Sequence, residues 1–235
     1  MKKLLIALAL LIASNFSYAV LPLPANLINL ASPAGATLLM PNLNVNTLKL
    51  LSHFTTQKTV SFCGVASVVM VLNSSLLDPP IDSLHAPYHY LNQDDFFNDK
   101  VINIVKLQEV QKHGMTLATL NRVIQSFGLG SKLYYASNLD EKKFKKILIT
   151  AIANNQFIIV NFLRSSLHEK GGGHHSPLAA YNEKTDRFLL LDVARYKYPA
   201  YWVKAEDLWK AVNTMDKTTS RGIIIISQPV LVQKK

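Results

Sequence analysis

The sequence contains one cysteine, and its surroundings decide whether it is a core residue or a nucleophile. Cys63 stands near the start of an apolar run of small residues, FCGVASVVMVLN, over residues 62–73. The length of that run favours a buried helix, which would place the thiol at the helix N-terminus. Backbone N–H groups and the dipole at such an end stabilise a thiolate, the reactive form of cysteine. On this feature alone, a small buried core residue is the commoner interpretation.

A thiol nucleophile needs a base, and the seven histidines supply the candidates. His174 stands out because it follows the glycine run 171–173, with a strand predicted directly after it. Asp192 ends a further predicted strand, and a hairpin between the two strands would bring its carboxylate beside His174. Gln57 lies six residues before Cys63, and its amide could donate to the oxyanion of a tetrahedral intermediate.

Other interpretations of these residues stay open. His174 and His175 could belong to a metal site, although the sequence offers no second cluster of ligands. Asp192 alone could be a turn residue or a cap. Catalysis by a thiol is favoured by the order of four residues along the chain and by the elements predicted around them: Gln57, Cys63, His174 and Asp192. This is the chain order of papain-like enzymes.

The elements that must position these residues change in character along the chain. An extended lead-in with one short helix is predicted over residues 20–50, and an aromatic loop with a turn of helix over 82–100. Helices are predicted over 62–73, stopped by Pro79-Pro80, over 114–129 with Thr116 as N-cap, over 138–155 and over 201–215. Strands are predicted over 157–163, 187–194 and 221–228. Helices first and strands later indicate an α+β fold, with a helical lobe packed against a sheet.

The composition fits one well-buried domain. The chain has 235 residues, of which 49% are hydrophobic. The net charge is +10, but the basic residues are scattered in short clusters, without a nucleic-acid motif or a basic arm. This charge therefore favours a solvated surface over a nucleic-acid partner.

The first residues, 1–19, have the three parts of a signal peptide. Lys2 and Lys3 form the basic region, residues 4–13 the apolar region, and Ser17 and Ala19 the small residues before a cut predicted after Ala19. A mature domain over 20–235 would then reach the periplasm or the outside, with an uncleaved membrane anchor as the alternative. In an oxidising compartment, one unpaired cysteine indicates intermolecular pairing or a reactive thiol.

Several stretches together resemble the phytochelatin synthase family, a papain-like clan of glutathione γ-glutamylcysteinyltransferases. They are QKTVSFCGVASVVMVLN around Cys63, QDDFFN at 93–98, GMTL at 114–117, VNFLR…GGGHHSP around His174, LLLDVARYKYPAYWV at 189–203, and LWKAVNTMD…SRG. The resemblance covers about residues 30–228. It implies a papain-like cysteine protease fold, with a helical lobe against an antiparallel sheet. It also implies Cys63 as nucleophile, His174 as base, Asp192 as its orienter and Gln57 as oxyanion donor.

The resemblance further implies residues that recognise the γ-glutamyl group: Asn161, Gly173, Asp216 and Arg221, with Arg195 as a candidate for binding or site support. Asp216 would take the α-amine, and Arg221 the α-carboxylate through a bidentate fork. The sequence departs from the family pattern at two places. Ala179-Ala180 replace a common Gly-Gly pair, and His175 stands where an apolar residue is expected.

The implied reaction is acyl transfer from glutathione. Cys63 attacks the Cys–Gly bond, glycine leaves, and the γ-Glu-Cys acyl group passes to water or to a second glutathione, with hydrolysis expected to dominate. No metal site or tightly bound cofactor is expected, so a heavy-metal ion such as cadmium or zinc would enter as a metal–glutathione thiolate. A homodimer is one alternative for the oligomeric state.

Two other functions compete with this interpretation. One is a periplasmic papain-like peptidase acting on other small peptides, and the other is a non-catalytic protein that binds metal or thiol peptides. Asp216 and Arg221 distinguish an enzyme that acts on glutathione from the peptidase, because a γ-glutamyl donor needs that pair more than a general peptide does.

Overall fold

The computed structural model describes residues 21–75 and 78–227, so the predicted signal peptide lies outside the described residues. The described helices are α1 Pro33–Leu39, α2 Val45–Ser52, α3 Cys63–Ser74, α4 Asp99–Ile102, α5 Leu107–His113, α6 Leu117–Ser126, α7 Glu141–Ala153 and α8 Ala205–Val212. The described strands are β1 Ile28–Asn29, β2 Gly130–Tyr135, β3 Phe157–Leu163, β4 Gly173–Asn182, β5 Arg187–Leu190, β6 Tyr201–Lys204, β7 Met215–Asp216, β8 Thr219–Ser220 and β9 Gly222–Ser227. Short 3-10 helices cover Met40–Asn42, Ala136–Asn138, Arg164–Leu167 and Glu183–Thr185.

Seven of these strands form one antiparallel sheet in the order β1-β6-β5-β4-β3-β9-β2. β7 and β8 form a separate two-stranded ribbon. The predicted α+β class is therefore confirmed, with helices concentrated in the first half of the chain and the sheet in the second. β4 and β5 form the hairpin that was predicted to bring Asp192 towards His174.

The sheet lies between two helical layers. On one face, Ile159 of β3 and Leu189 of β5 belong to the apolar core that includes α3 and α6. On the other face, their neighbours Ile158 and Leu190 belong to the core that includes α7 and α8. Since successive strand residues point to opposite faces, a sheet covered on both sides needs continuous apolar strands. This explains the run FIIVNFL in β3, which is apolar apart from Asn161. Its residues 157–162 are buried, and Leu163 is half-buried.

Helix α3 is the central helix of the first layer. All of its residues from Cys63 to Leu72 are buried, as the apolar run predicted. It ends at Ser74, well before Pro79, so the prolines do not stop it. The helix packs across β4, and the Ser67 hydroxyl donates to the Cys63 carbonyl at 2.8 Å and to the His175 carbonyl at 3.3 Å. The first turn of α3 is thus fixed to the strand that carries the histidines.

Other elements agree with the sequence predictions or correct them. α6 begins after Thr116, whose hydroxyl accepts from the Thr119 N–H as predicted. The lead-in region contains two helices, α1 and α2, instead of one. The region 201–215 is not one helix, because the buried run Tyr201–Val203 pairs with β5 before α8 begins. β2 and α5 were not predicted, and 187–194 is a strand only to Leu190.

In the described ranges, no helix has the length and apolar character needed to cross a bilayer.

Candidate active site

The Cys63 thiol lies at the first residue of α3 and borders an open cleft. Its residue is 8% exposed, so the sulfur is nearly buried but not sealed away. The cleft has a volume of about 290 Å³, at the lower end of small-molecule sites. Its other walls come from the residues before α3, the end of α5, the first residues of β4 and the β7 region; they include Ser61, His113, Asn161, Gly173, His175, Asp216 and Arg221. A larger groove lies beside residues 21–26. Its lining does not include Gln57, Cys63, His174 or Asp192.

His174 and Asp192 are joined by a short hydrogen bond. The His174 Nε2 lies 2.8 Å from Asp192 Oδ1, and Asp192 is fully buried. The same carboxylate oxygen accepts the Ala194 N–H at 2.8 Å. A carboxylate only accepts, so the imidazole proton on this side is held on Nε2, which leaves the lone pair of the neutral ring on Nδ1. The strand placement predicted from the sequence therefore brings these two residues together.

A buried arginine stands behind this pair. Arg164 Nη2 lies 2.7 Å from Asp192 Oδ2, and Nη1 donates to Glu169 Oε2 at 2.6 Å. Both carboxylate residues and the arginine side chain are almost inaccessible to water. Neither Arg164 nor Glu169 was predicted from the sequence as a site residue. A charged residue directly after the buried strand β3 is the signal that could have found Arg164, because an arginine there must be paired.

The protonation of the thiol and of His174 is set by opposing effects. Burial favours the neutral thiol, but hydrogen bonds and charge interactions with His174 and His175 outweigh it and hold the pKa of Cys63 well below its usual value. Burial is the largest single effect on His174 and acts to lower its pKa, but the charge of Asp192 and hydrogen bonding together outweigh burial and raise the pKa. The pKa of Asp192 itself falls to about 2, since His174 and Arg164 outweigh its burial. Both shifts act in the direction of a thiolate and a protonated imidazole.

His175 also faces the thiol. No role in the site was predicted for this residue from the sequence. Its Nδ1 lies 3.7 Å from Cys63 Sγ, and its Nε2 lies 2.7 Å from Asn161 Nδ2 on the neighbouring strand. Asn161 and His175 are register partners across β3 and β4. Unlike His174, His175 lines the open cleft.

Gln57 is close to the site, but its amide N–H groups are already engaged. Its Nε2 donates to the Thr59 carbonyl at 2.7 Å and to the Tyr196 hydroxyl at 3.1 Å. Its Oε1 is buried and has no hydrogen-bond partner among the described residues. Its backbone N–H donates to the Val193 carbonyl at 2.8 Å, which fixes it beside the segment that follows Asp192.

Four of the residues implied for γ-glutamyl recognition meet on one wall of the cleft. Arg221 Nη1 donates to Asn161 Oδ1 at 2.9 Å and lies 3.4 Å from Asp216 Oδ2. A Cβ atom on Gly173 would lie 2.4 Å from the same Nη1, so only glycine leaves the guanidinium in this place. The wall therefore presents a cation, a carboxylate and an amide to the cleft that the thiol borders.

Arg195 is not on this wall. It is exposed, its guanidinium lies 4.7 Å from the centre of the Phe54 ring, and it donates to the Phe54 carbonyl at 3.2 Å. It lines a separate groove together with Tyr196.

Among residues 21–75 and 78–227, no group of three or more His, Cys, Asp or Glu side chains is placed to hold a metal ion.

Comparisons with known proteins give a consistent result. A model of the phytochelatin synthase family matches residues 18–223. A protein of Lotus japonicus named glutathione gamma-glutamylcysteinyltransferase 3 is 31% identical over 89% of this chain and 44% of its own length. Glutathione gamma-glutamylcysteinyltransferase 2 of Arabidopsis thaliana is 32% identical over 77% of this chain and 39% of its own. The enzyme of that name from Schizosaccharomyces pombe is 26% identical, with 77% and 43% coverage. The chain thus spans about two fifths of the length of these relatives.

Proposed function

Because the chain belongs to the phytochelatin synthase family, we propose that it is a thiol acyltransferase that takes the γ-Glu-Cys group from glutathione. One observation carries the proposal: the Cys63 thiol borders a cleft lined by Arg221, and His174, which is hydrogen-bonded to the buried Asp192, is close enough to lower the pKa of the thiol. The names of the relatives support glutathione as the substrate.

The first half of the reaction is attack by the Cys63 thiolate on the carbonyl of the Cys–Gly bond. The Cys63 backbone N–H at the helix end and the Gln57 amide hold the negative charge on the oxygen. Since both Gln57 N–H groups are engaged, the amide must exchange its bond to the Tyr196 hydroxyl for the one to the oxyanion. The His174 imidazolium then protonates the leaving glycine amine, while Asp192 keeps the ring oriented.

The second half transfers the γ-Glu-Cys group from the sulfur. Water activated by His174 releases γ-Glu-Cys, or the thiolate-bearing second glutathione accepts the group through its amine and gives a phytochelatin of two repeats. We propose that hydrolysis dominates, and that cadmium or zinc takes part only as a metal–glutathione thiolate substrate.

Recognition of the γ-glutamyl end uses the wall that carries Arg221. The α-carboxylate of the substrate binds the Arg221 guanidinium, which lines the cleft. The α-amine binds Asp216, whose carboxylate is 3.4 Å from Arg221 Nη1 and partly exposed to the cleft. Asn161 and Gly173 hold the guanidinium in position.

The N-terminal sequence supports a further part of the proposal. A signal peptide over residues 1–19 would deliver a single catalytic domain, residues 20–235, to the periplasm or the medium. Fractionation of cells followed by mass determination of the N-terminus tests this, and a chain that retains its first 19 residues contradicts cleavage.

The test of function is product analysis with purified protein. Incubated with glutathione, with and without cadmium, the protein should release glycine and γ-Glu-Cys, and Cys63→Ala should release neither. Mass spectrometry of the intact wild-type protein should find a covalent γ-Glu-Cys adduct. Unchanged glycine release by Cys63→Ala would refute the assignment of the nucleophile. Cleavage of ordinary dipeptides but not of glutathione would instead favour a peptidase.

A further inference from the structure

Two adjacent imidazoles act on the charge of the Cys63 sulfur, and their own hydrogen-bond partners differ in kind. We propose that His175 is a second catalytic residue, a fixed Nδ1–H donor to the Cys63 thiolate, whose tautomer is set by Asn161 and Arg221. It stabilises the thiolate but cannot take the thiol proton, which goes to Nδ1 of His174. This inference rests on the proposed function in one respect only, in that it takes Cys63 as the nucleophile.

The orientation of the Asn161 amide is fixed by its neighbour Arg221. Arg221 Nη1 lies 2.9 Å from one end of this amide. A guanidinium has N–H donors and no acceptor, so the amide atom that faces it must be the oxygen, Oδ1. The nitrogen, Nδ2, therefore faces the other way, towards β4.

The Asn161 amide in turn fixes the tautomer of His175. Asn161 Nδ2 lies 2.7 Å from His175 Nε2, and an amide nitrogen can only donate. His175 Nε2 must then present its lone pair, so that the ring proton is on Nδ1. That atom lies 3.7 Å from Cys63 Sγ, within the range of hydrogen bonds to sulfur. The N–H therefore points at the sulfur.

The ring proton of His174 is on the other nitrogen. His174 Nε2 faces the carboxylate of Asp192, which accepts only, so its proton is on Nε2 and its lone pair on Nδ1. The two neighbouring histidines thus have opposite tautomers: one can accept a proton from the thiol, and the other can only donate a hydrogen bond to it. An N–H donor that points at the thiolate stabilises it through a hydrogen bond, and the proton stays on the imidazole.

The arrangement also connects substrate recognition to the nucleophile. Arg221, Asn161, His175 and Cys63 form a series of three hydrogen bonds from the cationic wall to the sulfur. The groups whose charges act on the thiol include His174, His175, Arg221 and Tyr196. Of these, His175 contacts the sulfur from the side of the open cleft.

A test that needs no glutathione follows the thiolate directly. Its absorbance in the ultraviolet and its rate of alkylation by iodoacetamide are measured against pH in the wild type, His175→Phe and His175→Gln. Loss of the donor in His175→Phe should leave about tenfold less thiolate at a given pH below neutrality, with partial recovery in His175→Gln. His113→Phe removes an imidazole of the same cleft without a contact to the sulfur, and should titrate like the wild type. An unchanged titration of His175→Phe would overturn the proposal.

The tautomer itself can be read in the wild-type protein, and His175→Phe serves only to assign the signal. Nitrogen NMR of protein labelled with ¹⁵N-histidine should contain one Nδ1–H ring whose signals disappear in His175→Phe. An Nε2–H tautomer at His175 would contradict the assignment.

Reversal of the His175 tautomer should restore part of the thiol reactivity that is lost when His174 is removed. His174→Ala should be alkylated at least tenfold more slowly than the wild type near neutral pH, even though His175 remains. Adding Asn161→Asp places an acceptor opposite Nε2, which frees Nδ1 as a base and should restore part of that rate. Rapid alkylation of His174→Ala alone would show that His175 already serves as a base. Because none of these readouts uses glutathione, failure of the proposed substrate and failure of this inference remain distinguishable.

Discussion

Arg164 contacts both oxygens of Asp192, with its Nη2 2.8 Å from Oδ1 and 2.7 Å from Oδ2. The carboxylate that orients His174 is therefore itself held by a buried cation, which also pairs with Glu169. The site depends on this buried ion cluster as much as on the residues that meet the substrate, since an arginine and two carboxylates with no access to water stabilise one another only as a set.

Replacement of Arg164 by methionine should therefore destabilise the fold strongly. It would leave Asp192 and Glu169 as buried carboxylates without their counter-charge, which costs on the order of 3–5 kcal/mol of unfolding free energy. Urea denaturation followed by circular dichroism measures this. The control is Arg195→Met, an exposed arginine, for which a change below about 0.5 kcal/mol is expected. Equal effects of the two substitutions would contradict the role of the buried cluster.

Substitution of Asp192 by asparagine should preserve the shape of the site and remove its activity. An asparagine amide turned towards Arg164 with its oxygen presents an N–H group to His174 Nε2, and so reverses the tautomer of the ring. We expect kcat for glycine release to fall by about 10⁴-fold, the size of effect found when the carboxylate of a comparable triad is replaced. The rate of glycine release is followed by amino-acid analysis, and retention of more than a tenth of kcat would be inconsistent with this role of Asp192.

Gly173→Ala should impair substrate binding through Arg221. The added methyl group would lie 2.4 Å from Arg221 Nη1, so the guanidinium must leave its position beside Asn161. KM for glutathione should rise about tenfold or more, because a charge-assisted bond to the α-carboxylate is lost.

The neighbouring glycine gives a matched control for that variant. A Cβ atom on Gly172 would meet nothing within 4 Å, and its φ is not in the left-handed region. Gly172→Ala should therefore keep the wild-type KM. If both variants bind glutathione alike, the cationic wall does not recognise the substrate.

Stability should depend on pH through Glu169. Burial and the charge of Asp192 outweigh Arg164 and raise the pKa of Glu169 to about 7, from 4.5. A raised folded-state pKa means that the folded protein holds this proton more tightly than the unfolded chain. The stabilisation is therefore fully present below pH 4.5 and is lost as the pH rises through 7, by roughly 3 kcal/mol in total.

Glu169→Gln should remove that pH dependence. Urea unfolding at pH 5 and pH 8 should show the wild type losing more stability than the variant between these values. Asp192 does not contribute in this window, because its pKa is lowered to about 2 and its stabilisation is lost only in stronger acid. A wild type whose unfolding free energy changes no more than that of the variant would disprove the assignment.

The parts of the fold that follow from local pattern could be predicted from the sequence. Strand β3 was predicted with its observed ends because a run of seven residues, six of them apolar, can be buried on both faces only in a covered sheet. Helix α6 was predicted from Thr116, whose hydroxyl caps it. The β4–β5 hairpin followed from two short strands with turn residues between them, and it placed Asp192 beside His174.

The parts that depend on distant contacts could not be predicted in this way. The run 201–215 has a helical pattern throughout, but pairing with β5 draws its first residues into the sheet. The contact of Cys63 with His175 joins residues 112 positions apart, and no local signal gives which of two adjacent imidazoles has which tautomer. The position of Arg164 after a buried strand indicates that it must be paired, but the pattern does not give its partner Asp192, which lies 28 residues away.

The two-residue strand β1 has a consequence for the integrity of the whole molecule. Ile28 and Asn29 are the register partners of Trp202 and Tyr201, so this short segment covers the outer edge of β6. A protein shortened to begin after residue 30 would carry a strand with unsatisfied hydrogen-bonding groups beside a buried tryptophan, a template on which other chains can add. The segment that follows the predicted export signal thus protects the protein from self-association once it has folded.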